Sequence, residues 1–262
     1  MDWYTGDTTY DLILTLGFAY VGIVVIAAPF VDTPYGRFAS NKFGISMGPR
    51  LGWFLMELPA TLVFFAVFFS GSHWSEPVPL VFAGMWALHY ANRGFFFPFS
   101  IRAPAGAKGS FSILVVGTGW LATSLHGYLN AAYLSELGDY SSWFGDGRFW
   151  AGLVIYYTSF VLTLHSDSII RNLRTKAEVA AGEKVYRIPQ GGLFRWVTCP
   201  SYLFEIIGWA GFALCTWSLG SVFVLGITIA NLVPRALSTH AWYRERFEDY
   251  PKERKALIPF VL

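Results

Sequence analysis

Apolar positions in this chain gather into long runs instead of alternating with polar ones, and short charged or glycine- and proline-bearing stretches separate them. The runs cover roughly residues 11 to 29, 51 to 70, 78 to 97, 112 to 134, 146 to 166 and 203 to 236. A helix that crosses a bilayer needs roughly 20 mostly apolar residues, so each of the first five runs predicts one spanning helix. The sixth is too long for one span, and Trp217-Ser218-Leu219-Gly220 offers a turn at its middle. Split there, the pattern predicts an all-α membrane protein: a seven-transmembrane helix bundle, with residues 1–262 as a single domain. Composition agrees, because 54% of the side chains are hydrophobic, 19% aromatic and only 14% charged, too apolar a mixture for a soluble domain of 262 residues.

Charge placement gives the bundle an orientation, since loops on the cytoplasmic side concentrate Lys and Arg. Arg37, Lys42 and Arg50 follow the first run, and Arg93, Arg102 and Lys108 lie at or after the end of the third. Arg171, Arg174, Lys176, Lys184, Arg187 and Arg195 follow the fifth, and the tail carries Arg235, Arg244, Arg246, Lys252, Arg254 and Lys255. The alternate loops hold Arg148 among Glu76, Glu136, Asp139 and Asp146, and the N-terminus adds Asp2, Asp7 and Asp11. The tail and the long basic loop share a side only if an even number of spans separates them. Seven spans satisfy this, with the N-terminus outside and the C-terminus cytoplasmic. The net charge of +2 points to no nucleic-acid partner. Cys199 and Cys215 lie in or beside one apolar segment near the cytoplasmic side, where a structural disulfide is not expected.

Ionisable residues inside apolar runs are costly in lipid and are candidates for function. Glu57 is one, in Leu51-Gly52-Trp53-Phe54-Leu55-Met56-Glu57-Leu58-Pro59. It reads either as a carboxyl group bonding a neighbouring helix or as an acid that, when protonated, donates a hydrogen bond to a ketone. His89-Tyr90-Ala91-Asn92-Arg93 is a second group. Tyr90 and Arg93 share a helix face at a spacing of three, as do His89 and Arg93 at four. A phenol can donate to a carbonyl oxygen as negative charge develops there. Alternatively Tyr90 is an interfacial anchor and Arg93 a snorkelling residue.

A third group crosses the end of the fifth run, where Thr163, Asp167, Arg171 and Arg174 form one polar stripe at helical spacing. Asp suits a ribose hydroxyl and Arg suits phosphate oxygens, whereas the plain alternative is a solvated helix end with an Asp167–Arg171 ion pair. The loop Tyr186-Arg187-Ile188-Pro189-Gln190-Gly191-Gly192-Leu193-Phe194 has glycines that allow close backbone approach to a ligand. It leads to Thr198-Cys199-Pro200-Ser201-Tyr202-Leu203-Phe204-Glu205, where Pro200 fits a helix start and the helix N-terminus can receive a phosphate. An ordinary loop-to-helix junction would look the same. The chain has no GxGxxG, HExxH or paired CxxC pattern, which removes a Rossmann cofactor site and zinc-hydrolase readings.

These blocks, in this order, resemble the steroid 5α-reductase family over nearly the whole chain. The likeness is carried by Phe54-Leu55-Met56-Glu57-Leu58-Pro59, by His89-Tyr90 with Arg93, and by His165-Ser166-Asp167 with Arg171 and Arg174. The loop from Tyr186 to Phe194 belongs to it, as does the ending from Phe247-Glu248-Asp249-Tyr250-Pro251-Lys252 to Phe260. The resemblance implies an enzyme that binds NADPH in a cytoplasm-facing cavity and takes a hydrophobic, steroid-like substrate from the bilayer. It implies that Glu57 and Tyr90 hold the 3-ketone of a Δ4-3-oxosteroid while hydride reaches C5 and a proton C4, with Trp53 also at the substrate. Asp167, Arg174, Tyr186, Arg187, Glu205, Arg235 and Tyr243 would hold the cofactor, joined by Arg93, Arg171 and Ser201. Ser201 departs from the family, which commonly has Asn there, and Thr163 sits where a relative carries Asn.

Rival readings are a membrane enoyl-thioester or polyprenol reductase, a membrane methyltransferase that binds S-adenosylmethionine, and a sterol-binding protein without catalysis. Glu57 and the Gln190-Gly191-Gly192 loop favour the steroid branch. A bacterial inner membrane or the endoplasmic reticulum would suit the chain equally, with membrane lipids around it and no metal or obligate protein partner expected.

Overall fold

A computed structural model describes residues 3–28, 30, 38, 45–102, 111–183 and 185–262, and helices dominate it. Asp2, Arg37, Lys42, Lys108 and Lys184, which contributed to the charge pattern, lie outside the described residues. The helices are α1 (Thr8–Ala27), α2 (Pro49–Phe68), α3 (Pro77–Tyr90), α4 (Phe97–Ser100), α5 (Ile113–Ala132), α6 (Gly147–Asn172), α7 (Lys176–Ala180), α8 (Pro200–Thr216) and α9 (Leu219–Arg246). Two short strands, β1 (Ser46–Met47) and β2 (Phe111–Ser112), pair antiparallel beside the start of α2.

Of these helices, α1, α2, α6 and α9 are long and apolar enough to cross a membrane. Exposed Leu, Ile and Phe side chains cover their outer faces, as expected for a protein dissolved in lipid. The chain is an integral membrane protein. The long final apolar run is divided between α8 and α9, with Trp217 in the left-handed region (φ 50°) and Ser218 capping α9 through Ser221 N–H. Two elements outrun their apolar stretches. α6 continues to Asn172 and α9 to Arg246, because backbone hydrogen bonding does not stop where lipid does, and Pro234 is absorbed inside α9.

Between α3 and α4 the chain widens into a π-helical turn, Ala91–Phe96. A single-turn π-bulge is a frequent mark of a functional site. Small residues let helices approach where lipid gives no hydrophobic push. A methyl group on Gly211 of α8 would sit 2.8 Å from the backbone nitrogen of Tyr156 on α6, and one on Gly127 of α5 would sit 2.9 Å from that of Phe64 on α2. The core between the helices is aromatic: Phe64, Phe82, Trp86, Phe212 and Phe223 are fully buried.

At one end of the bundle, polar groups close on one another. Asn130 donates to Gly220 O (3.1 Å) and accepts from Ser221 Oγ (2.7 Å), which in turn accepts from Thr216 Oγ1 (2.7 Å). Tyr140 donates to Thr216 O (2.7 Å). Arg148, the lone cation of the acidic loops, is clasped by Asp146 at 2.6 Å and lies over Trp143 and Trp217.

Candidate active site

Beginning one helical turn from Asn130, the helices part around a cavity of about 470 Å³, within the roughly 300–1,000 Å³ usual for small-molecule sites. Its wall takes Tyr20 and Val24 from α1, Met56 and Glu57 from α2, His89 and Tyr90 from α3, and Arg93 from the π-helical turn. Thr118, Thr123 and His126 come from α5, Glu205 and Trp209 from α8, and Thr228, Asn231, Arg235 and Ser238 from α9. The last four follow a helical spacing, so α9 turns one polar row toward the cavity.

Arg93 organises the charged side of the wall. Its Nε lies 3.3 Å from Glu57 Oε1 and its Nη1 lies 3.4 Å from Glu205 Oε2, so one guanidinium bridges two largely buried carboxyl groups on different helices. The guanidinium also stands over the Trp53 ring at 4.6 Å, and Trp53 Nε1 donates to Arg93 O at 3.1 Å. A buried charge needs such partners, and here they are side chains from sequence-distant segments. Tyr90, 3% exposed, has its hydroxyl 3.3 Å from His126 Nδ1.

A second, water-sized space lies behind Arg93 and Glu205, lined also by His89, Thr163 and Asp167. Asp167 accepts a hydrogen bond from Ser201 and interacts with Arg93, Glu205 and Arg171. The structure therefore joins Glu57, Tyr90, Arg93 and Glu205 with Arg235 at the large cavity, and links Asp167 and Ser201 to them from behind. Trp53 supports Arg93 from the α2 side and packs on Phe97 and Phe111.

The remaining predicted positions stand farther out. Arg174 and Arg246 approach the Tyr186 ring at 5.8 and 5.6 Å, and Tyr186 meets Trp242 edge to face, which makes a basic and aromatic corner. Arg187 is held by Glu178, with Nη2 to Oε1 at 2.5 Å, and this pairing holds the Glu178 carboxyl down at about 2. Arg171 is exposed. Arg235 donates to Tyr202 Oη at 3.3 Å. Tyr243 is stacked between Phe247 and Tyr250. The start of α8 is covered by the tail: Thr198 and Cys199 N–H donate to Lys255 O (2.8 Å) and Ala256 O (3.1 Å).

The sequence reading missed His126, Asn231 and Ser238 on the cavity wall and Arg246 at the basic corner. His126 had a detectable signal: it is an ionisable residue inside an apolar run, the same property that marked Glu57. Asn231 and Ser238 are legible only once Arg235 is known to face inward.

The chain as a whole has close relatives in sequence. Residues 110–262 match the family model described as 3-oxo-5-alpha-steroid 4-dehydrogenase. The chain is 37% identical over 247 residues to 3-oxo-5-alpha-steroid 4-dehydrogenase 1 of Rattus norvegicus, covering 93% of this chain and 91% of that protein. It is 35% identical over 249 residues to steroid 5-alpha-reductase DET2 of Solanum lycopersicum, covering 91% and 94%. With the Homo sapiens 3-oxo-5-alpha-steroid 4-dehydrogenase 1 the identity is 34% over 257 residues, covering 95% of both. The chain belongs to the 3-oxo-5-alpha-steroid 4-dehydrogenase family, the steroid 5α-reductases, and is an oxidoreductase acting on CH–CH groups.

Proposed function

We propose that the protein reduces the Δ4 double bond of 3-oxo-Δ4-steroids to 5α-reduced 3-oxosteroids with NADPH, polarising the 3-ketone with Glu57 and Tyr90. The observation that carries this reading is the placement of Glu57, Tyr90 and Arg93 together on the wall of a cavity that also presents the apolar side chains of Val24, Met56, Val115 and Ile227. Names of relatives that cover nearly the whole chain supply the steroid. A flat lipid ketone fits such a space because its body needs apolar contact and its one oxygen needs donors. Protonated Glu57 and the Tyr90 hydroxyl are two such donors, and hydrogen bonds to the oxygen strengthen as it gains negative charge. Arg93 holds Glu57 in place and ties it to Glu205. The proton that completes the product is added at C4.

NADPH, when bound, supplies the hydride that reaches C5. The residues present suit a nucleotide carrying several phosphates. Arg235, with Thr228, Asn231 and Ser238, lines the cavity, and Arg174 and Arg246 flank Tyr186, where a guanidinium pair can take a phosphate beside an aromatic face. Asp167, positioned by Ser201, and Glu205 offer acceptors for ribose hydroxyls. Tyr243 braces the aromatic corner through Trp242, which touches Tyr186. Arg171, exposed on α6, and Arg187, held by Glu178, belong to the same reading as cofactor-binding cations.

We further infer seven spans with the N-terminus outside and the C-terminus and cofactor side cytoplasmic. The four long apolar helices, the helical rods α3 to α4, α5 and α8, and the loop charges support this. The substrate would arrive from the bilayer, because α1 residues Tyr20, Val24 and Ala27 form part of the cavity wall. The decisive experiment uses detergent-purified protein with NADPH and a Δ4-3-ketosteroid. Cofactor oxidation should match a steroid mass gain of two hydrogens. No such gain, together with turnover of an enoyl thioester, would overturn the steroid reading.

A further inference from the structure

His126 enters no part of the chemistry above, yet it lines the same cavity as Glu57 and Tyr90. Its ring packs edge to face on Phe223, with centroids 5.6 Å apart, which limits ring rotation. Nδ1 faces the Tyr90 hydroxyl at 3.3 Å, while Nε2 is buried and has no hydrogen-bond partner among the described residues. A buried polar atom without a partner is costly, so its presence beside a reactive phenol calls for a reason.

The hydroxyl of Tyr90 has one hydrogen, and a neutral imidazole has one donor and one acceptor nitrogen. If Tyr90 gives its hydrogen to Nδ1, it has none left for a ketone. If instead Nδ1 carries the hydrogen and donates to Tyr90 Oη, the phenolic hydrogen is released toward a third group, and Nε2 becomes the bare acceptor. We propose that His126, in the Nδ1–H form, is a positioning residue that aims the Tyr90 hydroxyl at the substrate carbonyl and donates to its oxygen as charge develops. Nδ1–H, Oη–H and the carbonyl oxygen then form a chain of hydrogen bonds in which each polarises the next. No proton leaves His126, and the carbon that is protonated receives its proton elsewhere. The proposal rests on the reading that Tyr90 binds the ketone.

The test is a double-mutant cycle on the detergent-purified protein, measuring kcat and KM for a Δ4-3-ketosteroid at saturating NADPH. His126→Phe keeps an aromatic ring against Phe223 but removes both nitrogens. Its kcat should fall about 10-fold with steroid KM changed by less than about 3-fold. His126→Gln, whose amide can donate from the same helix position, should recover to within about 3-fold of the parent. In a Tyr90→Phe background, adding His126→Phe should change the residual rate by less than about 2-fold, because the phenolic oxygen it acts through is gone. Wild-type kcat in His126→Phe would overturn the proposal, as would an equal loss in both backgrounds. Should His126→Phe fail to fold, His126→Leu carries the same measurement. If Tyr90→Phe is fully active, the ketone-binding role of Tyr90 falls; if it is inactive while His126→Phe is normal, only the role of His126 falls.

Discussion

Asn130 and His126 sit one helical turn apart on α5, and the side-chain amide of Asn130 donates to the backbone oxygen of His126 at 3.0 Å. Asn130 commits both amide hydrogens and its carbonyl oxygen to neighbours, donating to His126 O and Gly220 O and accepting from Ser221. His126 engages Tyr90 on one side, and on the other Nε2 has no partner among the described residues. Both are polar groups in an apolar helix, where either is costly. Unused capacity separates them: the Asn130 side is closed by its own hydrogen bonds, and the His126 side opens on the cavity.

Substitutions can break or sharpen this contrast. The largest effects belong to the open side: Glu57→Gln and Tyr90→Phe should each lower turnover by about 10²-fold or more while NADPH binding persists, as followed by quenching of protein fluorescence. Full activity in either would remove that residue from the reacting group. At the closed side, Asn130→Ala should do the reverse. It strands the Ser221 hydroxyl and Gly220 carbonyl, lowering stability by ~1–2 kcal/mol in a thermal melt while kcat per folded molecule stays within about 2-fold. A large kcat loss without a lower melting temperature would erase the distinction. Ser201→Ala, which removes a donor to Asp167, should weaken NADPH binding by about 5-fold in equilibrium titration and leave kcat nearly unchanged.

The smallest effect concerns pH. Arg187 lowers the Glu178 carboxyl from its usual range to about 2, so the pair favours order at pH above the unfolded carboxylate range and loses its contribution as pH falls toward 2. Hydrogen exchange of residues 175–183, corrected for intrinsic rates, should be unchanged between pH 7 and 5.5 and quicken below about pH 4.5. The pair is solvent-exposed, and the change should be slight.

Apolar run length was enough to locate the major helices, because in lipid any backbone that leaves a helix exposes unpaired amides. The turn at Trp217-Ser218 was legible for the same reason, since a single helix of that length exceeds the bilayer. The π-helical turn at Ala91–Phe96 was not, because its widening depends on what packs against it. Glu57 announced itself as an acid among apolar neighbours, but its pairing through Arg93 to Glu205 joins three separate helical segments, which no local spacing encodes. The capture of Arg187 by Glu178 was locally encoded, since Thr175 and Glu178 form a capping box that fixes Glu178 beside the loop. His126 escaped notice because a neutral imidazole leaves the loop charge pattern untouched.

The seam between Thr198, Cys199 and the Lys255–Ala256 segment has a consequence in time. Thr198 Oγ1 accepts from Tyr250 or donates to it and also reaches Lys255 O, 57 positions later in the chain. A ribosome making the protein must therefore release α8 and all of α9 before the strap across the start of α8 exists. Helices can enter and pair in the bilayer during synthesis, but the start of α8 receives its cover only afterwards. Assembly in lipid comes first, and the strap over α8 closes last.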